Sequence, residues 1–140
     1  MDVEAVLEKL NRALALQYRS ALQYTLTSGC IFGLEFVALG DGLWPFAEAE
    51  LADARLLVEK VASLGGEPTT QVEPLYFTGN AEDAVQWLID AEEACIEALH
   101  AVIPDTGQEG RSEALEHLLE HLIMRKQNQV DFLMRARRRP

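Results

Sequence analysis

Four stretches of the chain carry apolar residues at three- and four-residue spacing, with glycine or proline between them, so the apolar surface can be buried only by packing helix against helix. The first runs from Val3 to about Leu26 with Val3, Leu7, Leu10, Leu14, Ala21 and Tyr24 on one face, and is expected to end near Gly29 or Gly33. A connector from Cys30 to Trp44 follows, punctuated by Gly33, Gly40 and Gly42. Asp41 then reads as the cap and Pro45 as the first turn of a second helix reaching Leu64. Gly65, Gly66 and Pro68 stop that helix. Asn80 with Asp83 marks the start of a third, which continues through Val85, Leu88, Ile89, Ile96, Leu99 and Ile103 to the break at Pro104. Ser112 is the expected cap of a fourth, carrying Leu115, Leu119, Leu122, Ile123, Val130 and Leu133.

The segment between Gly65 and Gly79 holds Pro68 and Pro74, has little helical pattern, and is long for a link between antiparallel neighbours. It is expected to travel the length of the bundle. The fold expected is therefore all-α: a single four-helix-bundle domain over residues 1–140 with one long crossover between the second and third helices. A hydrophobic content of 49% builds such a core without disulfides or structural metals. Cys30 and Cys95 are accordingly expected to stay reduced as small buried groups. No secretory leader or bilayer-length apolar run appears, which points to the cytoplasm and away from membrane partners. The net charge of -11, from 23 acidic and 12 basic residues, argues against nucleic acid as a partner. The tail Arg135, Arg137, Arg138 and Arg139 is expected to be a helix end whose cations suit the dipole.

Polar residues that interrupt an apolar face carry the most information, because a polar group inside a bundle is costly unless it is paired, hydrogen-bonded or metal-bound. Gln17 fills a gap in the first stripe. Glu50 and Asp53, three apart, interrupt the second, Glu92 the third, and Lys126 and Gln129 the fourth. Each helix thus offers one or two inward polar groups, in the order one, two, one, two.

That order is the one di-iron carboxylate bundles use, and the sequence resembles the bacterioferritin branch of the ferritin-like superfamily. The resemblance rests on Leu10, Asn11, Gln23 and Tyr24, on the segment from Glu50 that ends in Leu64, Gly65, Gly66, Glu67 and Pro68, and on Asp131, Phe132 and Leu133. It covers most of the chain, with nearly unchanged spacing between the inward polar positions. It implies a homo-oligomer, a dimer or a larger assembly. It also implies a ligand set that has changed. Gln17 stands at a glutamate position, Asp53 at a histidine position, Lys126 at that of the second bridging glutamate and Gln129 at that of the second histidine. Only Glu50 and Glu92 match. Leu51 stands where the haem-ligating methionine would be, so no haem is expected.

Three carboxylates, two amides and an ammonium do not suit two metal ions. They suit an ion-pair network in which Lys126 pairs with Glu50 or Glu92, at least one of Glu50, Asp53 and Glu92 is protonated near neutrality, and Gln17 and Gln129 satisfy what remains. Two other readings stay open: one weakly bound divalent cation on Glu50, Asp53 and Glu92, or a register one position off that sets Lys126 or Asp53 at the bundle edge. His117 and His121, one turn apart, have zinc-compatible spacing but lie off the inward stripe, and Glu97 with His100 reads as a surface ion pair. Trp44, Phe46, Tyr76, Phe77 and Trp87 read as packing groups, with Tyr76 and Phe77 placed in the crossover either to anchor it or to face another subunit. No phosphate loop or nucleophile constellation is present. The expected function is that of a non-catalytic assembly subunit or binding module with no cofactor. The alternative is a metal-binding ferritin-like oxidase or iron-storage protein using Glu50, Asp53 and Glu92, with ferroxidase-type chemistry.

Overall fold

The computed structural model describes residues 1–31, 33 and 36–137. Four helices account for most of them: α1 (Val3–Cys30), α2 (Val37–Ser63), α3 (Ala81–His100) and α4 (Gly110–Arg137), with a 3-10 turn at Ile103–Asp105 that carries Pro104. No strand occurs among the described residues. Arg135 and Arg137 lie in the last turn of α4, where cations suit the dipole, while Arg138 and Arg139 fall outside the described residues. Among the described residues no helix is long and apolar enough to cross a membrane.

Asn80 caps α3 by accepting from Asp83 at 2.9 Å, as the sequence pattern predicts, and Asp2 caps α1 by accepting from the Ala5 amide at 3.1 Å. The other two helices start differently from expectation. α2 begins at Val37, so Gly40, Asp41 and Gly42 are helical rather than connecting, and Pro45 lies inside the helix. Burial of Leu43 and Ala47 outweighs the poor local propensity. Gly40 permits it: a Cβ there would lie 2.9 Å from the Ser28 carbonyl oxygen, so only glycine allows α2 this close to α1. Asp41 and Pro45 are both exposed, and the carbonyl that Pro45 leaves without an amide partner can bond water. In α4, Ser112 is not the cap. The Glu109 carbonyl takes the first helical bond from Glu113 at 3.0 Å, and Ser112 lies buried in the first turn with its hydroxyl unpartnered.

The crossover runs along α1, as its length demands. Asn11 accepts from the Thr69 amide at 2.9 Å and donates to the Glu67 carbonyl at 3.1 Å. Gln23, about 18 Å further along the helix, closes both bonds on Tyr76, accepting from its amide at 3.0 Å and donating to its carbonyl at 2.8 Å. Between these two clasps, Arg12 pairs with Glu73. Tyr76 stacks on Trp87 with ring centroids 5.8 Å apart, and the Arg19 guanidinium lies 5.0 Å from the Trp87 ring, which fixes the far end of the crossover to α3.

The core divides into two apolar clusters. One gathers Val6, Leu10, Leu14, Leu57, Val61, Leu99, Leu115, Leu119 and Leu122, and the other Tyr24, Leu43, Ala47, Val85, Leu88, Ile89, Val130 and Leu133. On every helix the residues between the two clusters are the inward polar ones, so a single polar layer crosses the bundle at mid-height.

Gly40→Ala is expected to lower stability by about 1–3 kcal/mol, because overpacking against a backbone oxygen exceeds the roughly 1 kcal/mol of helix propensity gained. Gly29→Ala, whose Cβ would meet nothing within 4 Å, is expected to be neutral or stabilising. Urea unfolding of both variants beside the parent checks the contrast.

Candidate functional site

The polar layer draws on all four helices at one level. α1 supplies Gln17 and Ser20, α2 Glu50, α3 Glu92, and α4 Lys126 and Gln129, all of them buried. The Lys126 ammonium is 0% exposed and donates to Glu50 Oε2 at 2.6 Å and Glu92 Oε1 at 3.3 Å, so the expected pairing occurs with both carboxylates. Lys126 is therefore not at the bundle edge.

Every carboxylate oxygen in the layer accepts a hydrogen bond. The Gln129 amide nitrogen donates to Glu50 Oε1 and, at 2.6 Å, to Glu92 Oε2. The Gln17 amide nitrogen donates to Glu50 Oε2 and, at 2.8 Å, to the Glu50 backbone carbonyl. Ser20 donates to Glu92 Oε1 at 3.3 Å. Facing acceptors fix the orientation of both glutamine amides, with nitrogen toward the acids. The Cys95 thiol then donates to Gln17 Oε1 at 3.7 Å.

Asp53 is buried but turns away from this centre to Arg125, which donates to its Oδ1 at 2.9 Å. The stripe reading missed Arg125 because it lies one residue before Lys126, off the inward face. Ser20 was missed as well, and Cys95 was expected to be buried but not to bond the layer, although each stands three residues after a residue in the layer, a spacing that places them on the same face. Tyr24, read as a stripe hydrophobe, sets its buried hydroxyl beside Glu92 and Gln129 without a hydrogen bond of good geometry to either. Its ring packs edge-to-face on Phe46, which packs likewise on Phe132.

Burial pushes the Glu92 carboxyl up to about 7, against the opposing pull of Lys126. Burial also raises Asp53, with Arg125 opposing it. Burial alone would lower Lys126, but the surrounding Glu92 and Glu50 carboxylates outweigh it and hold the ammonium above the usual lysine range. Cys95 itself is pushed up to about 12 by burial, which keeps it a thiol and chemically inert.

The remaining candidates lie outside the layer. His117 and His121 are exposed on α4. Glu97 and His100 are exposed on α3, and no ion pair links them: the side chains stay in water, where such a contact gains little. Both cysteines are free thiols, but Cys30, at the end of α1, is only half-buried, since the end of a helix is less covered than its middle. Trp44 and Phe77 are exposed rather than packed.

The donor set does not fit two metal ions. A buried ammonium separates the two carboxylates that meet, and both amides present N–H groups to them. Among the described residues no group of three or more His, Cys, Asp or Glu side chains is placed to hold a metal ion.

Comparison with known proteins places this geometry in context. The family model of the ferritin-like domain matches residues 7–137. The bacterioferritin of Desulfovibrio desulfuricans is 28% identical over 128 residues, which cover 91% of this chain and 71% of that protein. Its crystal structure, which records a diiron site in different catalytic states, matches with a TM-score of 0.85 at 26% identity over 97% of this chain and 80% of that one. Ferritin-like diiron-carboxylate proteins of Bacillus anthracis match with a TM-score of 0.88 at 22% identity over 99% of both chains. The bacterioferritin of Rhodobacter capsulatus, solved with a metal-free dinuclear site, matches with a TM-score of 0.82 at 18% identity over 92% of this chain and 81% of that one.

The raised Glu92 carboxyl predicts a pH dependence. Between the ordinary range near 4.5 and about 7 the folded chain binds more protons than the unfolded one, so this group's contribution to stability is full below that window. It is lost as pH rises through about 7, with a slope of at most about 1.4 kcal/mol per pH unit. Glu92→Gln removes the titration, so the stability of the variant relative to the parent is expected to improve from pH 5 to pH 8. Urea unfolding across that range measures it, and a constant difference would show that Glu92 does not titrate there.

Proposed function

Since the chain belongs to the ferritin-like domain family, which matches it across residues 7–137, we propose that it is a member with an ion-pair lock in place of a di-iron centre, acting as a non-catalytic assembly subunit or binding module. The observation that carries this reading is the Lys126 ammonium, fully buried and bonded to both Glu50 and Glu92. A cation covalently part of the chain holds the place where bound cations would be needed, and the neutral Gln17 and Gln129 complete its shell. The reading involves no haem, because Leu51 replaces the methionine that would ligate it, and it suits a cytoplasmic protein that does not bind nucleic acid.

An assembly role needs a surface for self-association, and the outer face of α1 and α2 offers one. Val37, Trp44, Leu51 and Val58 recur every seven residues along α2; Val37, Trp44 and Leu51 are exposed, with Leu51 at 65%. Tyr18, Leu22 and Val72 line a shallow groove beside Leu51. Glu48 and Arg55 flank Leu51 on the same helix. A two-fold axis near Leu51 would set Glu48 of one copy against Arg55 of the other, which makes the face self-complementary. Leu51→Glu is expected to raise the dissociation constant of the assembly at least tenfold, as read by sedimentation velocity. A parent chain that sediments as a monomer at tens of micromolar would remove the assembly role.

The competing reading, an iron-oxidising or iron-storing protein on Glu50, Asp53 and Glu92, draws on the likeness to the D. desulfuricans bacterioferritin. It requires both Lys126 and Arg125 to leave their carboxylates. Protein purified without chelator is expected to carry no stoichiometric metal, and to show no ferric absorbance above buffer when Fe(II) is added in air. Two metal ions per chain with rapid oxidation would establish the competing reading instead.

A further inference from the structure

Lys126 holds a position that can be specified atom by atom. Its Nζ lies 2.6 Å from Glu50 Oε2 and 3.3 Å from Glu92 Oε1, with Ser20 Oγ bonded to the same Glu92 oxygen and Gln17 to the same Glu50 oxygen. The outer oxygens of both carboxylates are tied together by one Gln129 nitrogen. Hydrogen bonds from two helices, α1 and α4, therefore hold the two acids in place, and these do not depend on the ammonium itself. Removing the Lys126 side chain would leave two facing carboxylates, a hydroxyl and two amides around a space with no positive charge.

From this geometry we infer that Lys126 is a built-in substitute for a single divalent cation. The layer needs one positive charge at that point but does not need it to be nitrogen. The inference rests on the lock proposed above and deepens it by naming what can replace the lock. With Lys126 truncated, the Glu50 and Glu92 oxygens, Ser20 Oγ and water form an oxygen-rich set suited to Mn(II) or Mg(II). Two ions do not fit the same logic, because Asp53 is held aside by Arg125 and only two carboxylates converge.

The test compares the parent with Lys126→Ala and Lys126→Gln, each purified by refolding with and without Mn(II). Thermal unfolding and the loss of the free Mn(II) signal in electron paramagnetic resonance are the readouts. The parent is expected to bind no Mn(II) and to keep the same Tm in chelator and in Mn(II). Each variant is expected to lose about 10 °C or more in Tm without metal, because a buried carboxylate pair has lost its cation. Each is then expected to bind one Mn(II) per chain and to recover several degrees when the ion is about 100-fold above its dissociation constant. Adding Glu92→Gln to Lys126→Ala is expected to abolish the recovery. If the variants bind no Mn(II), or stay unfolded with and without it while the parent is metal-free, the substitution idea is wrong and the lock stands. Mn(II) bound by the parent itself would overturn the lock as well.

Discussion

An ammonium withdrawn from water in the middle of a bundle constrains everything around it. Its own desolvation and that of its two carboxylates cost several kcal/mol each, and only good geometry and complete hydrogen bonding offset such a cost. Here the four carboxylate oxygens of Glu50 and Glu92 all accept bonds, from donors on α1 and α4. Rotating α2, α3 or α4 by a single residue would strand a buried charge, at about 3–5 kcal/mol, against a total stability of about 5–15 kcal/mol for an ordinary domain. The aliphatic clusters above and below tolerate exchange among leucine, isoleucine and valine far better. The polar layer therefore sets the register of the four helices, while the apolar clusters supply the driving force.

α1 joins this inner layer to the outer path of the chain. Its Gln17 faces inward to Glu50, while Asn11 and Gln23 face the crossover. All three are side-chain amides, and the reason differs by position. At Asn11 and Gln23 an amide presents a donor and an acceptor in one plane, as a peptide group does, so it can close bonds on both the N–H and the C=O of a passing strand-like segment. A carboxylate there would repel the carbonyl. At Gln17 the same neutrality avoids adding a third anion beside Glu50 and Glu92. One helix thereby fixes the crossover's path and the charge of the centre.

Much of this was legible in the sequence, and the exceptions have common causes. Helix number, the long crossover, the Asn80 cap and the six inward polar residues all follow from spacing and capping chemistry, which are local. The start of α2 does not, because Gly40, Gly42 and Pro45 are local breakers and only the approach of α2 to Ser28 explains why a helix forms through them. Ser112 looked like a cap because its type is right, yet the fourth helix begins before it. Asp53 was rightly read as buried, but its partner Arg125 lies off the stripe and can be found only once α2 and α4 are placed side by side. Ser20 is not legible because a small side chain does not interrupt an apolar pattern, and for the same reason Cys95 reads only as a buried thiol, without its bond to Gln17.

Charge accounting explains why the layer can close without metal ions. A four-glutamate site of the di-iron kind carries four negative charges and needs about as many positive ones from bound cations. In this chain Gln17 removes one of those negative charges and Lys126 replaces another with a positive one, while Asp53, where a histidine would stand, brings a carboxylate that Arg125 matches. Glu50, Asp53 and Glu92 then face Lys126 and Arg125, leaving one uncompensated negative charge. Glu92, pushed up to about 7, takes a proton over part of the neutral range and removes that charge as well. On the reading proposed above, the residues at Gln17, Asp53, Lys126 and Gln129 are thus consistent with one another. On that reading, a glutamate placed at Gln17 or at Lys126 alone would unbalance the layer rather than build a metal centre.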